Sequence, residues 1–457
     1  MWTVWLGFSG AGLSGINTAY HLQTKGPQGL SYVILEGIRS DSDIHTFGFT
    51  WSPWVREAPL ASGDEILDYF HKSAEKHGID KHIIYNHRVE SADWSSKHSS
   101  WTLHVTCDKD GERTEKVVRC RFVVMGTGYY NYEHPLEARI LGLESFGGAV
   151  IHPQFWPAEL AYADKEMVVI GSGATAVTLL PAVADRVKHV TMLQRSPTYI
   201  LPRPMQDRVS RILSVFFPAS IAARLNRLRF AVASYFLVTI CRTFPNAARR
   251  SFAKIITEQL PPKVTTNPHF TPRYRPWEQR LCATPDGDFY AAIRSGKASV
   301  TTGVIREITE SKIRLESGEI LRPDIIVTAT GLKLRFGGGI KLSVDGAPID
   351  ISQKFVWRGT MVQDLPTLAF IVGYVDASWT LGTDVSATTI VRLLNQMKKK
   401  GALSAQRPLF TISSTYVQTA SEVFPKGGVG QWRQNKNYLL DMLRASYGDL
   451  STGLEMR

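Results

Sequence analysis

The stretches VWLGFSGAGLSG (Val4–Gly15) and MVVIGSGATA (Met167–Ala176) decide the fold. Each is an apolar run that breaks into spaced small residues: Gly10, Gly12 and Gly15 in the first, Gly171, Gly173 and Ala176 in the second. A helical pattern follows, with Ile16, Ala19 and Tyr20 after the first. Strand, glycine turn and helix N-terminus together cradle a pyrophosphate. The first glycine permits the tight turn, and the second lets backbone N–H groups approach the phosphates. The third small residue lets helix pack on strand.

One GxGxxG carries little weight alone, so the repetition matters. After the first, Tyr32–Leu35 reads as a buried strand closed by Glu36, 21 residues beyond Gly15. An acid at that spacing hydrogen-bonds ribose hydroxyls. A hairpin is expected next, Trp101–Cys107 and Val117–Met125 turning at Asp110-Gly111, ending in Gly126-Thr127-Gly128. After the second fingerprint, the strand Val190–Leu193 ends in Gln194-Arg195-Ser196. Another hairpin follows (Lys312–Leu315, Ile320–Leu321), then a strand Asp324–Thr328 ending in Ala329-Thr330-Gly331.

The expected fold class is therefore α/β, with two Rossmann-like dinucleotide-binding domains and an inserted helical segment. From glycine loop to strand-terminal threonine the first copy runs 117 residues and the second 159, which leaves room for the insertion. The boundaries read as 1–145 with 325–457 for an FAD domain and 146–324 for an NADPH domain, with the insertion at about 203–265. Glu36 would repel a 2′-phosphate, whereas Arg195 and Ser196 would bind one. The first site thus suits FAD and the second NADPH, and Thr330 and Gly331 are further cofactor-binding candidates.

By length the 457 residues allow about three domain-sized units. With 44% apolar and 21% charged residues the composition is that of a globular protein. Cys107, Cys120, Cys241 and Cys282 lie far apart and in no zinc spacing, which reads as free thiols and no metal. The N-terminus shows no leader pattern, so a cytoplasmic protein is expected. The net charge of +12 is uneven, since residues 203–254 hold ten basic residues and one acid, Asp207. No nucleic-acid motif accompanies them. The segment reads as a helical cap with solvated arginines, the lining of a substrate cleft, or a peripheral membrane contact.

Between the two copies lies Phe146-Gly147-Gly148-Ala149-Val150-Ile151-His152-Pro153-Gln154-Phe155-Trp156-Pro157. Its pattern, FxGxxxHxxxWP on Phe146, Gly148, His152 and Trp156, resembles the signature of class B flavin monooxygenases in its Baeyer–Villiger form. VVIGSGATAVTLLPA, VTMLQRSPTY, HFTPRYRPWEQRLC and DIIVTATGLKL are similar to the ethionamide-activating branch of that family. The resemblance implies FAD, NADPH and O2 chemistry on a small hydrophobic substrate, with a ketone of specialised metabolism converted to an ester or lactone as the expectation. Sulfur or nitrogen oxygenation is the alternative. The resemblance also makes Arg280 the catalytic cation and Asp41 its partner, and adds Val89 to the cofactor contacts. Gly373–Trp379 resembles the family's flavin-side segment.

The pattern departs from the family at YVILEGIRSDSD (Tyr32–Asp43). The family has Gly-Gly-x-Trp and a linker after the ribose acid, whereas here Glu36 abuts Gly37. An extended chain covers about 3.6 Å per residue at most, so Asp41 reaches the flavin ring only along a nearly straight path. A non-catalytic NADP-binding protein is the reading this loss favours.

Overall fold

The computed structural model describes residues 2–36, 47–55, 60–109, 111–279, 281–374, 378–402, 424–425, 437–450 and 454. They form two compact units. One takes Met1–Tyr130, Ser210–Ala231 and Leu334–Arg457, and the other takes Asn131–Val209 and Val232–Lys333.

Each unit is built on a parallel sheet whose centre is the strand before a glycine loop. In the first, Leu6–Ser9 lies between Tyr32–Glu36 and Phe122–Met125, with Ile83–Tyr85 and Leu368–Phe370 beyond them, all parallel. In the second, Glu166–Ile170 lies between His189–Gln194 and Ile325–Thr328, with Ala298–Thr302 and Ala149–Ile151 outside. The chain leaves each central strand to opposite sides, and a crevice opens at such a switch point beyond the strand ends. The strands are near-continuous apolar runs, as burial on both faces requires. Leu6 and Phe8 are fully buried, as are Val169 and Val190.

The first unit carries a further sheet that includes Ser100–Lys109 paired with Glu112–Cys120. The expected strand Val117–Met125 is in fact two. Glu112–Cys120 is antiparallel and partly exposed, while Phe122–Met125 is buried throughout. The break falls at Arg121, where the N–H groups of Arg121 and Phe122 both donate to the Trp5 carbonyl. Gly7 lets these layers approach, since a β-carbon there would stand 3.1 Å from Cys120 Sγ and from Leu103 Cδ1. The four cysteines are free and buried.

Residues 203–259 are largely helical, as Arg208–Phe216, Ala219–Thr243 and Pro245–Gln259. Among the described residues, no helix is long and apolar enough to cross a membrane. Arg227 departs from the solvated-arginine reading, being only 8% exposed. Its guanidinium donates to the Gly48 carbonyl and, at 3.1 Å, to Asp384 on the helix Trp379–Lys400. Asp384 also accepts from Asn17 Nδ2 at 3.0 Å and from Thr50, and His21 Nε2 lies 3.5 Å away. This anchorage explains why 210–231 belongs to the first unit and not, as its place in the sequence suggested, to the second. Burial alone would push the Asp384 carboxyl up. His21, Arg227 and Thr50 more than offset this and hold it below the ordinary value.

Replacing Asp384 by alanine strands a buried guanidinium, with an expected loss of about 3–5 kcal/mol in chemical denaturation. A loss within about 0.5 kcal/mol, typical of surface sites, would show that the pair does not support the fold. The depressed pKa also fixes a pH dependence. The carboxylate's contribution is present above its unfolded value of about 3.9 and is lost as pH falls through the folded one. Acid titration of wild type against Asp384→Asn checks this, since the variant should lack that part of the acid-side decline.

Candidate functional site: two nucleotide cradles

Both glycine loops turn where the sequence placed them, and each has backbone where a side chain would otherwise stand. At Gly10, φ is +104°, and a β-carbon would lie 2.5 Å from the Gly126 carbonyl oxygen. At Gly15 it would lie 2.0 Å from the Gly10 oxygen. In the second loop Gly171 has φ +140°, and a β-carbon would lie 2.2 Å from the Ala329 oxygen. Ala176, at the third position, is fully buried. The middle glycines differ from their neighbours. A β-carbon on Gly12 or Gly173 would meet nothing within 4 Å.

Gly12 and Gly173 are also the N-caps of the helices Leu13–Lys25 and Ala174–Ala184, and neither helix has a side-chain cap. Each N-terminus therefore faces open space with its backbone donors uncapped by a side chain, the arrangement that receives a phosphate. The residues present fit two dinucleotides, FAD and NADPH.

The strand ends separate the two cradles. Gly10 N–H donates to Leu35 O at 2.8 Å, and Gly171 N–H donates to Leu193 O at 2.9 Å. By this register Glu36 corresponds to Gln194, and Arg195 comes one residue later. Glu36 turns its carboxylate onto the loop and accepts from the Ala11 N–H. Gln194 turns inward instead. Its Nε2 donates to His269 O at 2.6 Å and to Thr302 Oγ1 at 2.9 Å, and its side chain is buried. Burial also pushes the His269 imidazole below its ordinary value, only partly countered by Glu319. Arg195 and Ser196 are left exposed at the loop mouth. Ser172 Oγ, inside the loop, donates to Ser196 O at 2.8 Å and holds the pair there. The sequence reading missed Gln194 and Ser172, although counting from the register residue would have found Gln194.

The signature segment is an edge of the second sheet. Ala149–Ile151 pairs with Ile325–Val327, and Phe146 packs against Val168, Ile170 and Ile326. Gly148 is required there, since its β-carbon would stand 2.3 Å from Asp324 O. His152 Nδ1 accepts from the Gln154 N–H at 3.3 Å, so Nε2 is the protonated nitrogen, and it donates to Gly331 O at 3.2 Å. That bond ties the signature to the Thr330-Gly331 strand end. Trp156 meets Tyr162 edge-to-face at 5.8 Å. Val89 sends its side chain into a core with Leu35 and Val105, which leaves its backbone for any cofactor contact. Arg280 and Asp41 lie outside the described residues, as do Gly37 and Val375–Ala377.

Known proteins share this plan. A family profile described as flavin-binding monooxygenase-like matches residues 57–227. The FAD-containing monooxygenase EthA of Mycobacterium tuberculosis is 41% identical over 95% of this chain and 93% of its own. The probable FAD-binding monooxygenase AlmA of Acinetobacter baylyi is 40% identical over 94% and 91%. Among solved structures, cyclohexanone monooxygenase bound to epsilon-caprolactone superposes with a TM-score of 0.73 at 18% identity, covering 100% of both chains. OTEMO in complex with FAD and NADP gives 0.72 at 17%, covering 99% of both. The solved structures match the two-sheet fold, and the curated relatives match the sequence nearly end to end. The chain belongs to the flavin-binding monooxygenase family, as an enzyme that uses FAD and NADPH.

Proposed function

We propose that this monooxygenase carries out Baeyer–Villiger oxidation of a hydrophobic ketone, giving an ester or lactone. The balance is ketone, O2, NADPH and a proton to ester, NADP+ and water. The supporting observation is a pair of like cradles with opposite strand ends, Glu36 in one and Arg195 in the other, joined by a signature in its Baeyer–Villiger form. We assign FAD to the Met1–Tyr130 cradle at Gly10, Gly12, Gly15 and Glu36. NADPH goes to Gly171, Gly173, Ala176, Arg195 and Ser196, with Thr330 and Gly331 alongside. Bound FAD, reduced by NADPH, supplies the activation of O2.

The chain's own groups bind, orient and balance charge. The bare helix N-termini neutralise the pyrophosphates. Glu36 leaves the Ala11 N–H free for phosphate when it turns to the ribose. Arg195 gives a charge-assisted pair to the 2′-phosphate. By the family resemblance Arg280, always protonated and a rigid donor, would stabilise the negative charge that develops on substrate oxygen, and Asp41 would orient it. His152, through Gly331, fixes the strand end beside the second glycine loop, where NADPH would be held. The same machinery would also serve a thioether or amine, and the substrate decides between them.

Purified protein should be yellow and should consume NADPH with a ketone, releasing an ester or lactone by mass spectrometry. A ketone and a thioether offered together separate the two reactions, and sulfoxide alone would overturn the ketone assignment. A colourless chain that FAD does not reconstitute would show that the shortened Glu36–Gly37 connection has removed flavin binding. Arg195→Ala should raise KM for NADPH about 10–100-fold while leaving KM for NADH nearly unchanged. An equal rise for both would move the 2′-phosphate site elsewhere.

A further inference from the structure

The helical pair Arg208–Phe216 and Ala219–Thr243 is inside out over the residues that belong to the first unit, 210–231. A surface helix normally turns its apolar stripe to the core and its polar face to water. Here Ser210, Asn226 and Arg227 are buried, together with the small Ala222 and Ala223. The large apolar side chains face out. Ile212, Val215 and Phe216 form one helical stripe, with Val215 75% and Phe216 76% exposed. Ile221, Leu225 and Leu228 form a second at spacings of four and three. Such stripes mark neighbouring residues on one face.

The inversion is held by specific bonds. Arg227 is fixed to Asp384 and to Gly48 O, and Arg229 donates to Ser210 Oγ at 3.2 Å and to Asn226 Oδ1 at 3.3 Å. The polar face is thus the anchored one, and the apolar face has no other way to turn. Contiguous exposed apolar surface of this kind marks an interaction site.

Charge identifies the occupant. Residues 210–231 contain four arginines and no acid, and Arg211 and Arg224 are exposed beside the apolar stripes. A second copy would bring the same acid-free, arginine-bearing patch against this one, because a two-fold interface uses one surface on both subunits. A bilayer with anionic headgroups offers both required chemistries, phosphates for the guanidinium groups and acyl chains for Phe216, Val215 and Leu228. We propose that 210–231 is a peripheral docking face for an anionic phospholipid membrane, with these side chains entering the headgroup–acyl boundary. Among the described residues no helix is long and apolar enough to span that membrane. A hydrophobic substrate dissolved in that membrane would be met at its source.

The test uses the full chain, loaded with FAD where it binds it, and sedimentation with phosphatidylcholine vesicles with and without phosphatidylglycerol. The protein should pellet with the phosphatidylglycerol vesicles, and added salt should weaken that binding. Val215→Asn/Phe216→Ser should lower the partition coefficient about tenfold or more, with unchanged circular dichroism. Arg211→Gln/Arg224→Gln should lose the preference for phosphatidylglycerol. The proposal is overturned if the wild type stays in the supernatant, if it binds both vesicle types equally, or if the apolar double variant binds as well as wild type. It is also overturned if sedimentation velocity shows a dimer that this variant dissolves while no vesicles are bound.

Discussion

The architecture depends on a place where three stretches of backbone meet without side chains. Gly10, Gly15 and Gly126 bring the turn, the helix and the neighbouring strand end within the space of one missing β-carbon. The second copy repeats the meeting at Gly171 and Ala329 but accepts a methyl group at Ala176. Close approach aims the helix N-terminus into the crevice, and the uncrowded glycine at each N-cap keeps that crevice open. Every later distinction is laid over this shared geometry.

The two sites differ where the following strand stops. In one, an acid reaches back to the loop. In the other, the equivalent side chain is folded into the protein and the next residue presents a positive charge. On the proposed assignment, a single residue of offset separates a site that would reject a 2′-phosphate from one that would bind it. The signature segment then contributes in a way its histidine alone does not suggest. It is an edge strand, and His152 joins it to the end of the neighbouring strand at Gly331.

Most of this was legible in the sequence because the signals are local. Glycine spacing, short apolar runs and a strand-terminal acid are all read within about forty residues. What was not legible depends on partners far away in the chain. Arg227 looked solvated because its counter-ion, Asp384, is 157 residues distant. Its burial decided which unit holds 210–231 and which face of the helices meets water. The break at Arg121 was missed because Val117–Met125 is apolar on average, and only the change of sheet separates its halves. Gln194 was passed over because a neutral amide beside an arginine attracts no notice until its two hydrogen-bond acceptors are seen.

That amide has an evolutionary consequence. Moving such a site from a phosphorylated to an unphosphorylated nicotinamide calls for an acid at the strand end. Here the corresponding place is held by a side chain that spends both amide protons on His269 O and Thr302 Oγ1. A glutamate would offer only lone pairs to a carbonyl that needs a donor. Drift toward the other coenzyme would first have to pass through a damaged interior. At the proposed NADPH site, Gln194 therefore opposes an acid at the strand end through its packing, because both amide protons are used inside the protein.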